Sequence, residues 1–133
     1  MPVDYRKYFS LQGRLRRSQY WLWHLAQAAI AIALGCVLYG ITALAPQNIV
    51  VAIAISLLAL ALYVVFVWSA LSVSVRRCHD RNKSGWFVLV SLIPLLNLWV
   101  LIELGFLDGT QDPNQYGPSP KGIAGHQVAK VFA

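Results

Sequence analysis

Three long runs of apolar residues dominate the chain, at 20–44, 49–75 and 86–107. The first two contain no charged side chain, and the third contains only Glu103. A helix needs about 20 residues to cross the hydrocarbon core of a bilayer, so each run is long enough. The pattern predicts an all-α integral membrane protein with three hydrophobic helices that together form a membrane domain.

Prolines divide this domain. Pro46 lies in the four-residue connection 45–48, which predicts a tight hairpin between the first two helices. Pro94 has no N–H, so the carbonyl of Val90 lacks its helical hydrogen-bond donor and the third run is broken. Two structures fit this break: a kinked span that carries the chain across, or a re-entrant hairpin that brings the tail back. Ser84 is a predicted N-cap for the third run.

The flanks differ from the membrane domain (20–107). Residues 1–19 interleave basic and aromatic side chains, a pattern typical of a segment that lies on lipid headgroups. Residues 108–133 begin with closely spaced prolines and glycines, which predict an irregular, polar tail. Four aromatic residues near the ends of the apolar runs are expected to anchor them at the interface: Tyr20, Trp21, Trp23 and Trp86.

The cations predict the orientation. Nine of the 11 Lys and Arg residues precede the first run or lie between the second and third, and the connection 45–48 has none. The positive-inside rule therefore places the N-terminus and the basic segment 76–86 in the cytoplasm. With three spans, the simplest topology puts the C-terminal tail outside the cytoplasm.

Composition narrows the partners. The chain has a mean hydropathy of +0.57 and 12% charged residues, about half the share of a soluble domain. Its basic residues lie beside apolar runs instead of along a polar face, which argues against nucleic acid and favours anionic phospholipid. A larger membrane protein or a second copy of this chain is the alternative partner. The cations, with the polar residues between them, predict a binding surface for headgroups or a partner: Arg14, Arg16, Arg17, Arg76, Arg77, His79, Asp80, Arg81 and Lys83.

Two other functions stay open. A transporter or lipid-translocating unit would use the break at Pro94 with a polar intramembrane site at Asn97 and Glu103, because an ionisable group within a span is a functional candidate. A membrane enzyme acting on headgroups would use His79 as base and Asp80 as its orienter. No catalytic residue is assigned. Zinc needs three or four converging ligands, and the sequence offers no such set, so no metal is expected. No cofactor is expected either.

Three segments carry a resemblance: "GRLRRSQYW" (13–21), "RRCHDRNKSGW" (76–86) and "GTQDPNQYGPSPK" (109–121). In this order, with apolar runs between them, they resemble the small bacterial inner-membrane proteins of domain-of-unknown-function family 805. The chain departs from the pattern at Cys78, where Leu is usual, and at 81–82. The resemblance implies a multi-spanning protein of the bacterial cytoplasmic membrane and implies no activity. It places any shared site at Arg14, Arg17, Tyr20, Trp21, Arg77, His79, Asp80, Ser84, Gly85, Trp86, Asn114, Tyr116 and Gly117.

Overall fold

The computed structural model describes residues 10–44 and 48–122, and these are helical with irregular connections and no strand. Helix α1 runs Arg17–Leu44, α2 runs Ile49–Asp80, a 3₁₀ helix runs Gly85–Leu92, and α3 runs Pro94–Gly105. The predicted all-α membrane fold is confirmed. Residues 1–9, which hold half of the predicted interfacial segment, lie outside the described residues.

Helices α1 and α2 have 28 and 32 residues, which corresponds to about 42 and 48 Å at 1.5 Å per residue. Both exceed the roughly 30 Å of a hydrocarbon core, and both are apolar enough to cross it. The side chain of Asn48 caps α2 by accepting from the N–H groups of Val50 and Val51.

The first half of the basic segment 76–86 is helical. Helix α2 continues through Asp80 and ends where Asn82 takes a positive φ of 56°. No residue before Asn82 breaks the helix, and the polar side chains of the last turn find partners within the protein. The last turn of α2 therefore carries polar groups into the interior.

The third apolar run is broken at Ile93–Pro94, as predicted. Its first half is the 3₁₀ helix, which Ser84 caps by accepting from the N–H of Trp86, and its second half is α3. The rings of Phe87 and Trp99 meet edge to face at 5.2 Å. This contact shows that the two halves run antiparallel. The run is a hairpin with arms of roughly 16 and 18 Å, and the alternative prediction of a single kinked span is wrong.

The hairpin returns the chain to its starting end, so the tail packs against the last turn of α2. The N–H of Thr110 donates to the carbonyl of Asp80 at 2.9 Å, and the Asn114 side-chain amide donates to the carbonyl of His79 at 2.9 Å. The expectation that the tail lies opposite the basic segment is therefore wrong. The physical reason is that neither arm of the hairpin is long enough to cross the hydrocarbon core, so the chain returns to the end from which it entered.

Burial is concentrated at this same end. The buried apolar side chains of the described residues come from the chain before α1, the first turn of α1, the last turns of α2 and the second half of α3: Leu15, Tyr20, Val73, Cys78, Val100 and Leu104. Toward the other end, α1 and α2 expose apolar side chains such as Ile32 and Leu57. Such surfaces suit a lipid environment.

Candidate functional site

Asp80 lies at the centre of the buried polar end. It is the last residue of α2 and is only 3% exposed. Its carboxylate forms salt bridges with Arg14, at 3.0 Å, and with Arg77 one turn earlier on the same helix. We call these three residues the Asp80 cluster. Because a buried charge without a partner is very costly, the cluster holds only while all three members are present.

Arg77 connects separate parts of the chain to this carboxylate. Its guanidinium is fully buried and donates to the backbone carbonyls of Leu15, Leu104 and Leu107. These carbonyls belong to the segment before α1, the end of α3 and the start of the tail. A guanidinium has five N–H donors in a fixed plane, so one side chain can bond all of these acceptors.

Arg14 connects the tail to the same carboxylate. It donates to the carbonyls of Asp112 and Gly117, at 2.9 and 3.2 Å, and to both oxygens of Thr110. The tail also passes very close to the cluster at Gly109, where a Cβ would overlap the Asp80 carboxylate. The irregular tail is thus fixed through its backbone carbonyls.

These contacts change the predicted binding surface. Arg14, Arg76, Arg77 and Asp80 are buried, so the expectation that they face headgroups or a partner is corrected. The charges of Arg14, Arg77 and Asp80 are needed inside, where they hold the chain segments together. The cations with more exposed side chains are Arg16, Arg17, Arg81 and Lys83.

Glu103 also has internal partners. Its carboxylate accepts from Arg81 at 2.8 and 3.0 Å and forms a salt bridge with Lys83 at 3.0 Å. The Lys83 ammonium also lies over the rings of Phe87 and Trp99, at 4.3 and 5.1 Å. Glu103, which the transport hypothesis uses, is thus paired with two cations. However, Asn97 is exposed on α3 and does not join Glu103 in a shared polar site.

Replacing Glu103 by glutamine is expected to lower the free energy of unfolding by about 1 kcal/mol, because Arg81 and Lys83 keep an oxygen acceptor but lose the charge. Thermal unfolding in detergent measures this. Asn97→Gln, on the exposed side of α3, should leave the transition unchanged. A loss of several kcal/mol would mean that the glutamine fails to satisfy the two cations.

His79 stands apart from Asp80. Its Nδ1 lies 3.2 Å from the carbonyl of Gly13, and its ring stacks on Tyr116 at 3.9 Å with an interplanar angle of 5°. The Asp80 carboxylate is held by arginines instead. His24, on α1, packs edge to face on Tyr20 at 4.5 Å. The geometry therefore does not support an acid–base pair of His79 and Asp80.

The two cysteines differ in their exposure. Cys78 is fully buried, so its thiol does not face a cleft. Cys36 is exposed on α1, and both thiols are free. Within residues 10–44 and 48–122, no group of three or more His, Cys, Asp or Glu side chains is placed to hold a metal ion.

The predicted interface anchors divide into two kinds. Trp86 is 78% exposed at the start of the 3₁₀ helix, where it can reach headgroups. Tyr20 is buried in the core, and Trp21 donates its indole N–H to the carbonyl of Gly105 at 2.8 Å. Trp23 packs partly buried against the same core. Tyr20 and Trp21 therefore pack α1 against neighbouring segments of the protein. Aromatic residues that only anchor a helix at the membrane interface do not need such contacts.

An open pocket of about 400 Å³ lies beside the start of α1 and is lined by Arg16, Arg17, Ser18, Asp108 and Lys121. Lys121 hydrogen-bonds the Asp108 carboxylate, and together with the charge of Arg17 this lowers the pKa of that carboxyl below its ordinary value. Asp108 is therefore ionised at neutral pH. Three cations against one carboxylate leave the pocket positively charged.

The chain is similar to known proteins along most of its length. A family model described as "Protein of unknown function (DUF805)" matches residues 8–118. The chain belongs to this family. The inner membrane protein YhaH of Escherichia coli K12 is 30% identical over 118 residues, which cover 87% of this chain and 91% of that protein. The inner membrane protein YhaI of the same strain is 24% identical, over 87% and 90% of the two chains. No solved structure matches.

In this DUF805 chain, the three motifs that carry the resemblance meet at one end of the molecule. Arg14 comes from the first, Arg77 and Asp80 from the second, and Gly109 and Asn114 from the third. The sequence alone did not predict that residues of these three motifs bind one another inside the protein. The signal was the single carboxylate among the cations of segment 76–86, since a buried arginine needs a carboxylate close by.

Proposed function

We propose that this inner-membrane protein crosses the bilayer twice, through α1 and α2, and places its polar end and its tail in the cytoplasm. The charge distribution supports this orientation. All eight basic and four acidic side chains of the described residues lie at the polar end, which gives it an excess of four positive charges, and the residues at the other end of α1 and α2 carry none. The positive-inside rule assigns such an end to the cytoplasm.

We further propose that this end binds anionic phospholipid headgroups. The supporting observation is the open, positively charged pocket formed by Arg16, Arg17 and Lys121. The cations of the Asp80 cluster are used internally, whereas these three side chains can contact a phosphate from the surface. A larger membrane protein or a second copy of the chain, packed on the exposed apolar faces of α1 and α2, is the proposed alternative partner.

Neutralising the pocket with Arg16→Gln, Arg17→Gln and Lys121→Gln together is expected to weaken binding of phosphatidylglycerol about 100-fold, at roughly 1 kcal/mol per cation. Native mass spectrometry of the detergent-purified protein with phosphatidylglycerol measures this loss. Binding of phosphatidylcholine should not change, because that lipid has no net charge.

The matched control replaces the same two arginines by lysine, Arg16→Lys and Arg17→Lys, and leaves Lys121 in place. This control keeps the charges and changes the hydrogen bonds that the arginines make to the carbonyls of Pro120 and Phe106. Near wild-type binding by the control is the expected result. If the triple glutamine variant retains phosphatidylglycerol as tightly as the wild type, this pocket is not the site.

A further inference from the structure

A second cavity, of about 460 Å³, lies between α2 and the 3₁₀ helix. Along α2 it is lined by Leu71, Val75 and His79, which lie four residues apart and therefore on one face, over about 12 Å of helix. Val88 and Leu89 of the 3₁₀ helix also line it. The volume is within the roughly 300–1,000 Å³ of typical ligand pockets.

The cavity is polar at one end only. His79 and Tyr116 lie at the end nearest the charged groups, with Ser84 beside them, and the lining toward Leu71 is apolar. Such a gradient, with an apolar groove that opens at a polar end, matches the division of a phospholipid into acyl chain and headgroup. A small polar metabolite would not use the apolar part.

The hydrogen bonding of His79 decides which headgroup fits. The Gly13 carbonyl can only accept, so Nδ1 carries the proton in this bond. In the neutral ring Nε2 is then an acceptor. It faces Gly85, where an added Cβ would lie 3.6 Å away, and Gly85 itself lines the cavity. The groove therefore presents a lone pair to its occupant.

We propose that this groove binds a phospholipid with an ethanolamine headgroup, with an acyl chain along Leu71 and Val75 and the ammonium donating to His79 Nε2. The polar groups at one end of the groove support this occupant. The hydroxyls of Ser84 and Tyr116 can donate to the phosphate, and the neutral imidazole acceptor suits the ammonium. A choline headgroup has the same phosphate and no N–H donor. This inference goes beyond the anionic-lipid pocket and does not depend on it.

The test measures retention of dioleoyl phosphatidylethanolamine and dioleoyl phosphatidylcholine by the purified full chain, using native mass spectrometry. Both lipids have zero net charge, so their comparison is independent of the Arg16–Lys121 pocket. One hydrogen bond predicts about fivefold tighter binding of the ethanolamine lipid. His79→Phe keeps a ring to stack on Tyr116, removes the acceptor and should abolish the preference.

A second variant fills the groove without touching His79. Leu89→Trp is expected to lose both lipids, and Leu92→Trp, on the same 3₁₀ helix but outside the groove, should retain both with the ethanolamine preference. Equal binding of the two lipids by the wild type would overturn the headgroup assignment. Unchanged lipid binding by Leu89→Trp would overturn the groove itself.

Discussion

Replacing Asp80 by asparagine is expected to lower the free energy of unfolding by about 3–5 kcal/mol, the cost of removing one partner from a buried ion pair. Asparagine has nearly the same size as aspartate, so the loss is electrostatic. The fully buried guanidinium of Arg77 would keep its carbonyl acceptors and lose its countercharge. Arg14 would lose the same partner. Thermal unfolding in detergent measures the effect.

Asp112→Asn is the matched control. Asp112 lies in the tail and contributes a backbone carbonyl, which the substitution leaves in place, to the hydrogen bond from Arg14. Its side chain is exposed, so the expected change is below about 0.5 kcal/mol. If Asp80→Asn and Asp112→Asn destabilised the protein equally, Asp80 would not hold the polar end together.

Gly109→Ala is expected to release the tail. The added methyl group would overlap the Asp80 carboxylate, so either the buried carboxylate or the tail backbone must move. Overpacking of this kind costs about 1–3 kcal/mol, and a displaced buried charge adds to it. Hydrogen exchange of the Thr110 amide, which donates to the Asp80 carbonyl, reports the release directly. Its protection should fall at least tenfold.

Gly40→Ala separates this steric effect from a general response to the added methyl group. A Cβ at Gly40 meets no atom within 4 Å, so the variant should leave exchange at Thr110 unchanged. Combining Gly109→Ala with Asp80→Asn adds a second check, since residues in contact give non-additive effects. Strict additivity of the two changes would mean that Gly109 acts through something other than Asp80.

Much of the fold follows from patterns that are local in the sequence. The two long helices follow from apolar runs without charges, the break at Pro94 from the missing N–H of proline, and the cap at Ser84 from its hydroxyl. Local sequence patterns do not predict the direction that the chain takes after Pro94. A kinked span and a hairpin have the same apolar pattern, and only contacts such as Phe87 with Trp99 distinguish them.

The candidate site shows a similar limit. The sequence places Arg77, His79 and Asp80 side by side, which suggests that they act together. On a helix, neighbouring side chains point about 100° apart, so His79 faces a groove and Asp80 faces the buried arginines. Partners from far along the chain then decide their roles. Arg14 lies 66 residues from Asp80, and no local pattern predicts that contact.

The proposed topology puts the tail and the basic segment on the same side of the membrane. Single cysteines at Asn48, Lys83 and Ser119, in a background with Cys36→Ala and Cys78→Ala, can be labelled with a membrane-impermeant maleimide. In intact spheroplasts only Asn48→Cys should be labelled, and in inside-out vesicles Lys83→Cys and Ser119→Cys should be. Labelling of Ser119→Cys from outside intact spheroplasts, with Lys83→Cys protected there, would put the tail opposite the basic segment and contradict this topology.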